Sequence, residues 1–363
     1  MILDLPEVER WLSLARELGR SRPLYDVHVS PYEVIFDRFT YREDPRHPGV
    51  LSLSDADDEY VPPRAGPLRI EEASVPPGRP AVPGALSLMM YRRCFAHVGP
   101  RVLGDHMALS GISRCLLVPV VRADGGGAES FDRRFAPYRG DPRFALAYCA
   151  PRGVEADRLI ADVRRIGAEA PVRALKVNPN LQGVDLASEP GRRHVEQLLL
   201  ACRATGLPLV LHGGVSTVLE DPRNRAFASL DNLLTVEWRQ AGAPVVLAHA
   251  GMFGCPADEV SRLLPRLHRL LAENENLLVD VSGLGFDALS AVLHAVDVGR
   301  IVFGSDALYF PQWGAVVKVL FALKRLGRAV EEEFVRLAGS TPGRHLFGEA
   351  APVGRDGAGT GER

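Results

Sequence analysis

The sequence predicts an α/β chain folded as a (β/α)8 TIM barrel with a long insertion after its first strand. Three observations lead there. About eight short apolar runs alternate with segments of helical periodicity, and the crossovers between runs are too long for hairpins. Several of the runs also stop on His or Asp, which closure into a barrel would gather at the face where strand C-termini meet. An open doubly wound sheet is the competing architecture, but no glycine fingerprint follows the first strand.

Taken in order, Pro6 to Gly19 sets Val8, Trp11, Leu12, Ala15 and Leu18 on one helical face. The first strand, Leu24 to Val29, ends at Ser30-Pro31. Residues 31–85 then form the insertion, punctuated by prolines and an acidic run from Asp55 to Glu59. Because it leaves from a strand's C-terminal end, it is expected to lie over the site. Its Arg42 and Arg46 are candidates to hold a substrate carboxylate, with solvent exposure as the plainer role. Leu86 to Ser113 reads as helical and carries His97 and His106 as ordinary amphipathic or capping residues.

Further strands are expected at Cys115 to Val121, Phe144 to Ala150 and Arg173 to Pro179, with Gly125-Gly126-Gly127 as a loop and a helix from Val154 to Ile166. Lys176 interrupts the fourth apolar run; a buried ammonium is costly unless it is paired or faces a wet cavity, so it is a site candidate or a rim residue. Helices Val195 to Thr205, Leu230 to Gln240, Val260 to Glu273 and Ala288 to Val296 precede strands ending near His212, His249, Ser282 and Asp306. Ala315 to Leu326 and Glu331 to Leu337 close the ring, and Leu346-Phe347 is a final apolar anchor. Residues 1–348 are thus one domain and 349–363 a Gly-rich disordered tail.

The net charge of -2, with both signs mixed along the chain, leaves no electrostatic footprint for nucleic acid or a membrane surface. A small-molecule substrate is the expected partner, with pairing into a homodimer open. Five cysteines without a CxxC spacing read as reduced packing residues, and no long apolar segment opens the chain, so the expected location is cytoplasmic.

His28, His212, His249 and Asp306 end the first, fifth, sixth and eighth strands. Neutral imidazoles with one carboxylate suit zinc, manganese or iron with an open position for water. Asp26, two residues before His28, is expected to accept from backbone donors or to orient a neighbouring ligand, from the same strand face one layer deeper. Asp280 is either a partner for a ligand or an acceptor for loop amides, and Tyr309 and Trp313, just after Asp306, are candidates to line the pocket.

The order of these motifs resembles the amidohydrolase superfamily, in particular the amidohydrolase-2 branch that includes the aminocarboxymuconate-semialdehyde and resorcylate-type decarboxylases. The resemblance runs from Tyr25 to Phe347. It rests on Asp26 to Ser30 against D-x-H-x-H, the Met107 to Val120 helix-to-strand passage, Lys176 in K-x-x-P, His212 in PxxxHxG, His249 in xHxG and Asp306 in FGSD. It implies a divalent metal, zinc first, held by His28, His212 and Asp306. It further implies Asp306 as general base, His249 polarising a substrate carbonyl and Lys176 assisting. Ser30 stands where the second histidine of the pair is expected, and a hydroxyl is a poor zinc ligand. The expected activity is a metal-dependent hydrolase of a small carbon–nitrogen or ester-like substrate. A nonoxidative decarboxylase of a carboxylated ring or unsaturated acid is the near alternative, followed by a metal-free lactonase-like enzyme or a ligand-binding barrel.

Overall fold

Strict alternation of side chains builds the barrel. The computed structural model of the protein describes residues 1–31, 42–52, 59–70, 96–123, 125–215, 222–307 and 310–349. Its central sheet has eight strands: β1 (Tyr25–Val29), β2 (Arg114–Leu117), β3 (Phe144–Cys149), β4 (Val172–Val177), β5 (Leu209–Leu211), β6 (Val245–Leu247), β7 (Leu277–Asp280) and β8 (Ile301–Val302). Each is parallel to its neighbours, in chain order. In β5, Leu209 and Leu211 pack outward with the helices while Val210 faces the barrel axis, and the same alternation holds in β2, β3, β6 and β7 and, past a register shift against β3, in β4 from Ala174 onward. Continued by one residue, it turns Cys149, Lys176, His212 and Asp280 inward at the C-terminal mouth.

The ring closes beyond the last regular ladder. Val27 N–H donates to Phe303 O (2.9 Å), Asp306 N–H donates to His28 O (2.8 Å), and Val29 and Ala307 form a parallel bridge. The last two residues of β1 therefore find their eighth-strand partner past Val302, in the segment that carries Asp306.

β1 departs from the alternation. Its register with β2 slips between Asp26 and Val29, a bulge that places one extra residue on β1. Tyr25 and Val27 face inward, Val29 faces the helices, and His28 turns into the mouth. Asp26 points outward instead, towards Gln312. The expectation that Asp26 underlies His28 on one face is thus corrected: the bulge changes the parity between them.

Helices α1 (Leu5–Ser21), α2 (Pro100–Ser110), α3 (Gly127–Phe135), α4 (Ala156–Gly167), α5 (Glu189–Thr205), α6 (Val260–Glu273), α7 (Phe286–Ala295) and α8 (Gln312–Arg325) bear much of the outer apolar layer. α1 starts where Asp4 accepts from Glu7 N–H (2.9 Å) and buries Val8, Trp11, Leu12 and Ala15, the face the spacing predicted. Three local expectations are corrected. The glycine run ends as the start of α3, because Gly126 and Gly127 take the positive φ that lets the chain turn directly into the helix. The expected helix from Leu230 to Gln240 survives as one turn, Leu230–Leu233, and a 3-10 turn, Trp238–Ala241. Between them Thr235 Oγ1 takes Asn232 O (2.7 Å) and the Trp238 indole takes Leu233 O (2.9 Å), carbonyls that a continuing helix would use. His97 lies in a two-residue strand, not in a helix.

The described parts of the insertion form a small antiparallel sheet of Arg42–Glu43, Leu51–Ser52 and His97–Val98. Leu68–Arg69 pairs with Ile2–Leu3, tying the insertion to the chain's first residues. No described helix is long and apolar enough to cross a membrane.

The small residues Ala145, Ala147 and Ala174 line the axis of β3 and β4, and at the opposite end from the mouth Leu346 and Phe347 complete the packing. The Phe347 ring stacks on Tyr25 with centroids 4.4 Å apart, and the Arg114 guanidinium lies over the Phe347 ring, 5.0 Å from its centroid. Phe347→Ala removes this plug and is expected to cost about 3–5 kcal/mol of stability, the usual range for a buried phenylalanine. Urea unfolding followed by circular dichroism checks it; a midpoint equal to wild type would show that the barrel does not lean on its C-terminal anchor.

Candidate active site

The mouth of the barrel is built around one buried carboxylate. Asp280, at the end of β7, has no solvent exposure. Its Oδ2 accepts from His28 Nδ1–H (2.7 Å) and from the Ser282 hydroxyl (2.8 Å), and its Oδ1 accepts from Ser282 N–H (2.6 Å). Burial alone would raise its pKa; the neighbouring His28 and His249 and the hydrogen bonds outweigh that and hold it below the ordinary carboxylate value. Both readings of Asp280 are therefore realised at once, since it binds an imidazole and a loop amide. Gly304 in the facing strand makes the approach feasible: a Cβ there would stand 2.3 Å from Asp280 Oδ1 and 2.8 Å from His28 Cβ.

Asp280 and Ser282 fix two imidazoles. An ionised carboxylate can only accept, so His28 Nδ1 carries a proton and its Nε2 is turned to the cavity. His249 lies on a left-handed turn after β6, with φ of 57°. Its Nδ1 is 3.0 Å from Ser282 O and 2.9 Å from Ser282 Oγ. A carbonyl accepts only, so this nitrogen too bears the proton. Burial, with the charges of His28 and Lys176, pushes the His249 pKa down to about 3. Its free Nε2 is then an acceptor at neutral pH. Polarising a substrate carbonyl by donation, the role expected for His249, would need a proton on that second nitrogen.

His212, 5.0 Å from His249 between ring centroids, is held well below its ordinary pKa by burial and by its cationic neighbours. Its Nε2 is buried without a hydrogen-bond partner. Phe253, which nothing in the sequence singled out, walls both rings at 5.8 and 4.5 Å.

Asp306 follows β8 in a left-handed conformation, φ 56°, and sets its Oδ1 4.0 Å from His28 Nε2. Burial raises its pKa to about 6, against the pull of His28 and Lys176 and with a push from Asp280. Lys176, 3% exposed, has its pKa lowered to about 8 by burial, partly offset by Asp280, Cys149 and Asp306. It faces the barrel interior with the acids, which answers the choice between a rim and an interior position.

The predicted metal set is not assembled as a cage. Among the described residues no three His, Cys, Asp or Glu side chains come together in an arrangement that could hold a metal ion. Ser30 does not compensate, since its hydroxyl hydrogen is donated to Val118 O (2.9 Å). The unpartnered His212 Nε2 and the His28–Asp306 pair are potential donors, but they do not converge as one site, so the donor set does not fit a resident zinc ion. Of the substrate candidates, Arg42 and Arg46 are exposed on the insertion, Arg46 beside Asp44. Trp313 is buried in the outer apolar layer at the start of α8, and Tyr309 lies outside the described residues.

A family model described as amidohydrolase matches residues 90–341. The chain belongs to the amidohydrolase family. This amidohydrolase is an enzyme, and its fold recurs in solved structures. One is 5-carboxyvanillate decarboxylase from Sphingomonas paucimobilis: 16% identity over 74% of this chain and 87% of that one, with a TM-score of 0.50. A second, IDCase from Metarhizium anisopliae in apo form, has 17% identity over 91% and 98%, with a TM-score of 0.53. A third, an amidohydrolase from Burkholderia multivorans with bound zinc, has 18% identity over 73% and 91%, with a TM-score of 0.51. At these identities the likeness is one of fold. No curated protein matches the sequence.

The environment of Asp306 in the amidohydrolase makes a stability prediction. Its folded pKa, about 6, lies above the ordinary aspartate value of about 4, so its favourable contribution is present below about pH 4 and is lost as pH rises through 6. Asp306→Asn should therefore be more stable than wild type at pH 8 by an amount on the order of 3 kcal/mol, a difference that shrinks towards pH 4. Thermal melts of both proteins across that window test it. A variant advantage that stays flat with pH would mean that Asp306 is not desolvated.

Proposed function

We propose that this amidohydrolase is a hydrolase of a small, negatively charged ester-like or carbon–nitrogen substrate, working by acid–base chemistry with Asp306 as general base. The observation that carries the reading is the approach of Asp306 Oδ1 to His28 Nε2, 4.0 Å, inside a buried mouth that also contains the Lys176 ammonium. A carboxylate with a pKa near 6 is mostly ionised at neutral pH yet basic enough to take a proton from an attacking water. Lys176 supplies the positive field for an anionic group of the substrate or for the oxyanion that water attack creates. His28 Nε2 lies within reach of the same water or of the leaving group. His249 Nε2 accepts a hydrogen bond from the substrate. Phe253 and the buried strand ends restrict bulk water. No step runs through a metal, because the described donors do not fit one.

Decarboxylation is the second reading, favoured by the same pairing of a cation with a protonatable carboxyl: Lys176 would hold the departing carboxylate and Asp306 would return a proton to carbon. The related fold of a named carboxyvanillate decarboxylase supports keeping it.

Turnover of candidate esters, lactones and amides of small acids in 18O-water separates the two. Hydrolysis places one heavy oxygen in the product acid, whereas release of carbon dioxide with uptake of a solvent proton transfers the assignment to decarboxylation. The kcat/KM profile of wild type should rise through about pH 6 and decline above about pH 8, with Asp306→Asn slower by at least about a thousandfold. Metal content by plasma mass spectrometry, on protein purified without chelator, should fall well below one equivalent. Stoichiometric zinc that is lost in His212→Ala would overturn the metal-free mechanism.

A further inference from the structure

Asp26 lies outside the mouth, yet it is bonded to the backbone of both members of the proposed acid–base pair. It is fully buried between β1 and α8. Its Oδ1 accepts from His28 N–H (3.1 Å) and from Ser305 N–H (3.0 Å). Its Oδ2 accepts from Gln312 Nε2 (2.8 Å) and from the Ser305 hydroxyl. That hydroxyl oxygen in turn accepts from Ala307 N–H (3.0 Å). The amides on either side of Asp306 therefore hang on Asp26, one directly and one through a single hydroxyl.

This segment needs holding. Regular pairing of β8 ends at Val302, and Asp306 occupies the left-handed region, which costs a side-chain-bearing residue about 1–2 kcal/mol. From the other side Asp306 N–H reaches His28 O (2.8 Å), so residues 26, 28, 305 and 306 form one hydrogen-bonded ring anchored to α8 by Gln312. His28 and Asp306 share no direct bond within this ring; their side chains stand 4.0 Å apart.

We propose that Asp26 is a positioning residue, clasping the backbone at His28 and at residues 305–307 to helix α8 and so setting the separation between His28 Nε2 and Asp306 Oδ1. Its consequence for turnover rests on the acid–base reading above; its geometric content does not. What the clasp requires is acceptor capacity at Oδ1 and a polar partner at Oδ2. Asparagine meets both demands. Its oxygen accepts the two amides, and its Nδ2–H can donate to a flipped Gln312, whose Oε1 is buried and unpartnered as it stands. Valine, of similar size, meets neither.

The test uses the full chain labelled with 15N-histidine, which has ten histidines, with the His28 ring assigned by its loss in His28→Gln. Folded-state chemical shifts report geometry and do not move when a protein is merely less stable. In Asp26→Val the His28 ring resonances are expected to shift and, by hydrogen-exchange mass spectrometry on the unlabelled chain, the amides of residues 303–307 to exchange about tenfold faster or more, while Asp26→Asn restores both to wild-type values. Should Asp26→Val fail to fold, Gln312→Met removes only the tie to α8 and is expected to shift the same resonances. Wild-type shifts and exchange in whichever of these two variants folds would overturn the proposal. On a substrate found in the 18O screen, the same variant should lower kcat by about tenfold or more with KM unchanged, and equal losses in Asp26→Asn would overturn the acceptor argument. A wild type that turns over nothing would sink the hydrolase reading and leave the NMR comparison to decide the clasp.

Discussion

The bond between His28 Nδ1 and Asp280 Oδ2 is the interaction on which the mouth of the barrel depends. A carboxylate removed from water must be fully hydrogen-bonded or it neutralises, and Asp280 meets that demand with an imidazole, a hydroxyl and a peptide N–H. Meeting it fixes much else. Gly304 must lack a side chain so that β8 can pass beside the pair, and Ser282 must follow two residues after Asp280. His28 and His249 are then both locked with the proton on Nδ1, which leaves their second nitrogen free. A single buried charge thereby sets the proton positions of two rings.

The remaining charges follow from that arrangement. Asp280 stays ionised, so a second carboxylate at the same mouth feels both desolvation and like-charge repulsion, which push the Asp306 pKa up to about 6. Lys176 moderates this from β4 while its own proton is loosened by burial. The result is a pair of groups, near pH 6 and near pH 8, that bracket neutrality from opposite sides. A carboxylate base and an ammonium electrophile can coexist between those values, a combination that water-exposed side chains would offer over a wider range but with far weaker fields.

Ser30 spends its hydroxyl on Val118 O, a bond between the ends of β1 and β2. What remains is a histidine and carboxylate constellation suited to proton transfer, mounted on a barrel whose first strand bulges between Asp26 and Val29. The bulge serves two demands at once. It sends Asp26 out to anchor the closing segment against α8 and turns His28 in towards Asp280 and Asp306.

The sequence by itself determined the eight strands and their parallel order, and it set His28, His212, His249 and Asp306 at strand C-termini, because these depend on apolar patterning and on crossover length, which are local rules. It left Lys176 between a site role and a snorkelling rim position. Tertiary structure alone decided the rest. The β1 bulge is a property of pairing with β2, invisible in five residues that alternate normally. The proton on His249 Nδ1 depends on a carbonyl 33 residues away, and the pKa values of Asp306 and Lys176 depend on burial and on charges from other strands. Whether four polar strand ends make a metal cage or a proton-transfer pair is a matter of distances of an ångström or two, which no pattern of residue types encodes.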